Sequence, residues 1–280
     1  MELKSLSHAR NLSLIVMNRP SELSVRVASL ICAGLIAGNS CPAQASEASI
    51  KDPGPDLANF PNSAFTLPKG RAYAELAPVN YNSRSRGGDP SQYSAGYLLR
   101  YGLTDDIELR WLSDGYTWRR GAGGTSGIGP QVADVKFHIC DENKEAWTPA
   151  FGIEVALQTN WAKSSLRGGV QPSLSLNFDQ TLPQDIAFEY NVGFNAQDND
   201  AGKRQYQLAL SWAFQREVVD DVAVFVNGFT NAGQGASSSA VGGGLQWIPA
   251  KRLAVFTNIS AGLTDITPRL SVLAGFAVAF

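Results

Sequence analysis

The sequence has little charge, few cysteines and histidines, and no long hydrophobic segment. Charged residues make up 17% of its 280 residues, whereas an ordinary soluble domain has about 25%. The formal net charge of −2 provides no basic surplus to neutralise nucleic-acid phosphates. The three cysteines and two histidines are few for a zinc site, which usually takes four such ligands. We therefore expect no nucleic-acid partner, no metal site and no cofactor.

The one notable apolar run lies near the N terminus. It is VASLICAGLIA at residues 27–37, too short for a transmembrane helix, which needs about 20 residues. Arg19 and Arg26 precede it, and the small residues at 42–46 follow it with an A-x-A pattern. These are the three parts of a secretory signal peptide. We predict a signal peptide over 1–45, with cleavage between Ala45 and Ser46.

Two alternatives remain at this end of the chain. Translation could start at Met1 or at Met17, and the later start gives a signal of ordinary length. A lipoprotein signal could end at Cys41, but Gly38 stands where such a signal has an aliphatic residue. An exported chain is free in the periplasm, secreted, or built into the outer membrane.

A proline-rich leader at 46–69 precedes a long region in which apolar and polar residues alternate. At 186–194, for example, aliphatic and aromatic residues occupy the even positions, with Glu189 and Asn191 between them. Alternation with a period of two is typical of a β-strand that has one apolar and one polar face. Twelve such segments are predicted, at 71–80, 93–103, 107–113, 132–140, 150–160, 170–179, 185–195, 205–215, 222–230, 240–248, 253–262 and 268–280.

The polar faces of these segments carry Ser, Gln and Asn with one or two charges. A soluble β-sandwich or lipocalin-like barrel also alternates, but its exterior is rich in charged residues. Short links after even-numbered segments and longer links after odd-numbered ones are typical of outer-membrane barrels. We therefore predict an all-β fold, an antiparallel up-and-down transmembrane β-barrel of about twelve strands over residues 70–280, preceded by a periplasmic leader at 46–69. The sequence leaves open whether Asp56 to Pro68 of this leader plugs the lumen. Its predicted location is the bacterial outer membrane, with lipid around it.

The chain ends in an alternating apolar segment whose last residue is Phe280. This resembles the C-terminal strand that the barrel assembly machinery of the bacterial outer membrane reads, and whose final residue is typically aromatic. Phe280 is therefore the predicted assembly signal.

Three stretches resemble one family of outer-membrane barrels. They are YGLTDDIELRW at 101–111, GPQVADVKFHI at 129–139 and the strand start at 149–151, together with the terminal Phe280. This pattern is similar to the transporter family named for the meta-pathway of phenol degradation. The resemblance covers about 210 residues. It implies a barrel and the passage of aromatic or other hydrophobic compounds.

Several charged residues fall on the polar faces of the predicted strands, and we expect them to line the lumen. From Glu75 to Glu154 their charges alternate in sign across neighbouring strands, so they can pair. We hypothesise that this ladder narrows the pore and leaves a path lined by Ser, Gln and Asn on the opposite wall. The expected lumen-lining residues are Glu75, Arg100, Glu108, Arg110, Asp134, Lys136, His138, Glu154 and Glu189.

Catalysis has little support in the sequence. An outer-membrane hydrolase needs a His and a Ser close together on the outer face, whereas His138 falls on the lumen side of its strand. The glycine-rich stretch at 121–129 lacks the Lys and Ser/Thr that complete a phosphate-binding loop. We expect no catalytic residues and a passive channel for small, hydrophobic or aromatic solutes. The alternative is a non-conducting barrel with a structural or surface-interaction role.

Overall fold

The computed structural model describes residues 49–121, 124–198 and 203–280, so the predicted signal peptide and the Ala45–Ser46 cleavage site lie outside the described residues. Thirteen strands and one short 3₁₀ helix, Ser164–Leu166, are formed in these ranges. The strands are β1 Ala72–Asn82, β2 Gln92–Gly102, β3 Ile107–Arg119, β4 Thr125–Ile128, β5 Gln131–Cys140, β6 Ala150–Gln158, β7 Gln171–Leu182, β8 Ile186–Asp198, β9 Arg204–Val219, β10 Val222–Gly233, β11 Ser238–Ala250, β12 Leu253–Gly262 and β13 Ser271–Ala279.

Twelve of these strands close into an antiparallel barrel, which confirms the predicted fold. Each pairs with its neighbours in chain order, and β1 pairs with β13 to close the ring. The short strand β4 stands outside the ring and pairs only with the end of β3. In the described part of the chain, no helix has the length and apolar character needed to cross a membrane.

The two rims of the barrel differ in the length of their connections. At the end called here the short-turn rim, β9 and β10 are joined by residues 220–221, and β11 and β12 by residues 251–252. At the opposite end, the long-loop rim, residues 159–170 connect β6 to β7. This asymmetry is the one seen in outer-membrane barrels.

The outer face of the barrel is apolar. Large hydrophobic side chains are exposed on most of its strands, among them Leu76, Leu99, Val155, Val192, Leu208, Val226, Leu245 and Ile259. A row of paired aromatic residues crosses four strands: Phe151 on β6, Phe178 on β7, Tyr190 on β8 and Trp212 on β9. An exposed apolar band with aromatic residues in rows is the surface that lipid requires.

One predicted loop is partly strand. The sequence indicated a connection over 114–131, but β3 continues to Arg119 and forms a hairpin with β4. Where β3 extends beyond the predicted segment, it has a bulge, because Ala95 of β2 pairs with both Gly115 and Tyr116. The φ of Gly115 is 62°. A Cβ atom there would lie 1.9 Å from the Ala95 carbonyl oxygen, so this position requires glycine.

The leader does not lie beneath the barrel. Residues 50–68, called the plug from here on, contact inner-face residues of β1, β2, β3, β5, β6, β7, β8 and β12. A segment that touches strands on all sides of a closed barrel lies inside it. The periplasmic position expected for the leader is thus corrected: charged lumen side chains attract its polar backbone and side chains into the barrel.

Candidate functional site

The plug enters and leaves the lumen at the short-turn rim. At its start, the Ile50 N–H donates to the Lys251 carbonyl at 2.8 Å, and Lys51 forms an ion pair with Asp221. At its end, the Lys69 N–H donates to an Asp105 carboxylate oxygen at 2.9 Å. Both anchors are in the turns of that rim, so the plug is a loop inserted from one end of the barrel.

Arg100 on β2 is the centre of the charged inner wall. Its guanidinium makes two hydrogen bonds to Glu108, with Nε to Oε1 at 2.7 Å and Nη2 to Oε2 at 3.1 Å. Its Nη1 donates to Glu75 at 3.1 Å and to the plug carbonyl of Gly54 at 3.0 Å. All three charged side chains are fully buried. Arg100 therefore joins three strands to one another and to the plug.

Asp56 of the plug is bound by three cations of the wall. Its Oδ2 atom lies 2.7 Å from Lys136 Nζ, 3.3 Å from Arg110 Nη2 and 3.5 Å from Arg100 Nη2. Burial raises the pKa of the Asp56 carboxyl, but the charges of Arg100, Lys136 and Arg110 outweigh burial and hold that pKa well below its usual range. One carboxylate thus fixes the plug against three strands.

Arg110 connects the same cluster to β5 and β6. Its Nη1 lies 2.5 Å from Glu154 and 3.2 Å from Asp134, and its Nη2 donates to the plug residue Asn62 at 3.3 Å. We call these residues the ion cluster: Asp56, Glu75, Arg100, Glu108, Arg110, Asp134, Lys136 and Glu154. Seven of its eight members were among the predicted lumen-lining residues.

A second set of hydrogen bonds holds the plug to β7 and β8. The Asn62 N–H donates to Asn191 Oδ1 at 2.7 Å, and Asn191 Nδ2 donates back to the Asn62 carbonyl at 2.8 Å. Ser63 Oγ donates to Asp179 at 2.6 Å. Asn59 Nδ2 donates to Glu189 at 3.0 Å, which places the ninth predicted residue against the plug.

His138 also faces the plug. Its Nδ1 lies 3.1 Å from the Ala64 carbonyl oxygen, its Nε2 lies 3.1 Å from Asp141, and its ring stacks on Phe65 with centroids 5.0 Å apart. Both ring nitrogens have partners and the ring covers a plug residue, so this histidine positions the plug.

The other side of the plug is apolar. Ile50, Ala58 and Leu67 are buried in one hydrophobic cluster with inward-facing residues of β1, β10, β12 and β13. Phe225 and Phe256 belong to that cluster. These two residues interrupt the alternation of their strands because their rings point into the lumen and pack as core side chains do. On this apolar side, the plug and the barrel wall therefore form a small hydrophobic core.

Glycines allow the plug backbone to approach the wall closely, at Gly102 of β2 and at Gly152 of β6. A Cβ atom on Gly152 of β6 would lie 2.6 Å from the Ala64 carbonyl oxygen and 3.1 Å from Ala64 Cα. Any larger residue there forces the plug away from β6. Replacing Gly152 with Val should thus loosen the plug, and faster proteolysis of residues 50–68 in the variant than in the wild type measures this.

Sequence reasoning left open whether residues 56–68 plug the lumen, and it missed the apolar inner wall. Asp56 and Asn62 lie in a proline-rich segment without period-two alternation, so the sequence could not decide whether this segment enters the barrel. The hypothesis of an open path beside the charged ladder also needs revision, because the plug covers the ladder. The available signals were the apolar residues Ile50, Leu57 and Leu67 of the leader and the two inward phenylalanines.

Comparisons with known proteins agree with this architecture. A family model described as putative MetA-pathway of phenol degradation matches residues 56–280. The COG4313 outer membrane channel from Pseudomonas putida F1 superimposes with a TM-score of 0.57 at 13% identity, covering 79% of this chain and 99% of that one. The NanC porin gives a TM-score of 0.43 at 10% identity, covering 74% and 98%. No curated protein sequence matches.

Proposed function

Because the chain belongs to the family described as putative MetA-pathway of phenol degradation, we propose that it is a passive channel for small solutes in the bacterial outer membrane. The observation that carries this proposal is the construction of the lumen. At the level of the ion cluster, the plug occupies the lumen, and ion pairs and hydrogen bonds hold it to the barrel wall. Such a segment can shift while the barrel wall stays intact.

The surroundings of the barrel support the membrane location. Leu, Val and Ile side chains are exposed around the outside of the barrel. A continuous apolar surface of this kind marks contact with lipid or with another protein. Charged residues concentrate inside, as they do in water-filled outer-membrane barrels. The family description refers to phenol degradation, and we propose phenol-like molecules as the first class of solutes to test.

A non-conducting structural barrel is the second candidate, and the filled lumen favours it. Liposome swelling separates the two. Proteoliposomes with the full mature chain should swell in isotonic solutions of small sugars faster than protein-free liposomes, and planar bilayers should show discrete current steps. Swelling at the protein-free rate together with silent bilayers would establish the non-conducting barrel.

We also propose that the C-terminal residue directs assembly by the barrel assembly machinery. Phe280 is 63% exposed, and its backbone N–H donates to the Ala72 carbonyl at 2.9 Å, next to the barrel seam. Deleting Phe280 should lower the amount of folded barrel in outer-membrane fractions several-fold, whereas Phe280→Tyr, which keeps an aromatic ring, should assemble normally. Equal levels of all three proteins would contradict the proposed signal.

A further inference from the structure

Two carboxylates in the lumen stand apart from the ion cluster. Asp179 on β7 and Glu189 on β8 occupy directly paired positions. No ion pair joins either of them to a basic residue among the described residues. Their known partners are neutral donors of the plug: Ser63 Oγ and the Ala64 N–H for Asp179, and Asn59 Nδ2 for Glu189. The second oxygen of Asp179 is buried without a hydrogen-bond partner among the described residues.

Small residues surround this pair on the neighbouring strands. Asp179 is paired on its other side with Ala150, and Glu189 with Ala213. A cavity of about 300 Å³ lies beside the carboxylate pair, bounded by Asp179, Glu189, Gln215 and Gln246 of the wall and by Asn59 and Phe65 of the plug.

This cavity continues to the short-turn rim. A second cavity of about 260 Å³ shares Lys51, Gln215 and Gln246 with the first, and it reaches Asp185 and Asp221 in the turns of that rim. Among the described residues, Lys51 is the only cation that lines the two cavities, and it is paired with Asp221. The space beside the plug is therefore a polar passage from the carboxylate pair to the short-turn rim, lined by more acidic than basic residues.

We infer that Asp179 and Glu189 form the selectivity element of this passage, which admits cations and neutral hydrogen-bond donors and rejects anions. The inference rests on the proposed channel function and specifies its solutes. Two carboxylates at paired positions repel each other, and a cation or a donated hydroxyl proton between them relieves that repulsion. An entering carboxylate brings a further negative charge close to them in a confined space, where like charges interact strongly. Neutral phenol can donate its hydroxyl proton to this pair of carboxylates, whereas negatively charged benzoate is repelled by them.

Reversal potentials across a KCl gradient test the inference. The wild-type channel should prefer K⁺ over Cl⁻ several-fold, and Asp179→Asn combined with Glu189→Gln should bring the ratio close to one. Asn and Gln keep the carbonyl acceptors for the plug donors. Asp265→Asn on the long-loop rim removes one negative charge far from the passage and should leave the ratio unchanged. In swelling assays at neutral pH, the wild type should exclude benzoate, and the double variant should admit it.

A thiol experiment covers the case in which the double variant fails to assemble. In a Cys140→Ser background, Glu189→Cys should react several-fold faster with a cationic methanethiosulfonate reagent than with an anionic one of similar size. The remaining Asp179 attracts the first reagent and repels the second.

These measurements separate failure of the selectivity role from failure of the proposed channel function. Conductance with the same ion preference in the wild type and the double variant overturns the selectivity role alone, as do equal thiol rates with the two reagents. Absence of conductance and swelling in the wild type overturns the proposed channel function, and the selectivity role with it.

Discussion

A variant whose signal peptide is joined directly to Lys69, without residues 46–68, should conduct several-fold more current than the full chain. The plug fills the lumen at the level of the ion cluster, and its apolar side completes the packing against Phe225 and Phe256. Without it, water replaces both sets of contacts and the cross-section of the pore increases. Single-channel recordings of the two proteins at the same salt concentration measure the effect.

The barrel should survive this truncation. The β1–β13 seam and all other strand pairings are formed by residues 72–279. The ion pairs of Arg100 with Glu75 and Glu108, and of Arg110 with Glu154, stay within the wall. The truncated protein should still migrate faster on gels when it is not heated. A synthetic peptide of residues 46–68, added on the short-turn side, should reduce the current again. Equal conductance with and without the plug would mean that it does not limit the flow.

Asp56→Asn should release the plug without removing it, and its expected effect is the second largest. The change leaves Arg100, Arg110 and Lys136 facing an uncharged amide. Removing one partner of a buried ion pair costs about 3–5 kcal/mol. Glu75, Glu108 and Glu154 still form ion pairs with Arg100 and Arg110, so we expect the lower end of that range. Because 1.4 kcal/mol corresponds to a factor of ten, the ratio of docked to released plug should fall roughly a hundredfold.

The matched control is Asp52→Asn. Asp52 belongs to the same stretch of chain but is exposed, and no ion pair of its side chain is found among the described residues. The fraction of time that single channels spend in a high-conductance state should rise in the Asp56 variant and stay at the wild-type value in the control. Identical recordings from the two variants would show that Asp56 does not hold the plug.

The direction of the Asp56 pKa also predicts how the plug responds to acid. A carboxyl whose pKa is lower in the docked state stabilises docking above its free pKa, and this contribution disappears as the pH falls through the docked pKa. The free value is about 4, and the docked value lies well below it. The Asp56 contacts should therefore remain intact between about pH 8 and pH 5. Plug proteolysis rates measured across this range in the wild type check this, since a marked increase towards pH 5 contradicts it.

The alternation of the sequence was sufficient to locate the barrel strands. The predicted segment 185–195 corresponds to β8 Ile186–Asp198, and 222–230 corresponds to β10 Val222–Gly233. Each strand of the barrel has one face in lipid and one in the lumen. Lipid-facing positions are therefore apolar and lumen-facing positions polar, and this alternation is visible in the sequence. The β3–β4 hairpin was not predicted, because beyond the lipid the two faces no longer differ in their surroundings.

The sequence also predicted the charged residues of the lumen, because acidic and basic side chains on the polar faces of the strands cannot lie in lipid. It did not predict which plug residues they contact. The contact of Lys136 with Asp56 joins residues 80 positions apart, and the leader has no period that relates it to a strand. A segment without regular structure is positioned by the surfaces that it meets, and these exist only after the barrel has closed.

The sequence by itself thus determined that the chain forms a closed barrel with an apolar exterior and a charged interior, because lipid and water each select residues at every second position. Only the tertiary structure decided that the lumen is occupied and that Phe225 and Phe256 belong to an inner core. It also decided that Asp179 and Glu189 lie beside a cavity and form no ion pair with a basic residue in the described ranges. These features depend on which side chains meet across the lumen. These contacts are determined by the path of the plug, whose ion pairs and hydrogen bonds join residues that are distant in the sequence. No local sequence pattern predicts such contacts.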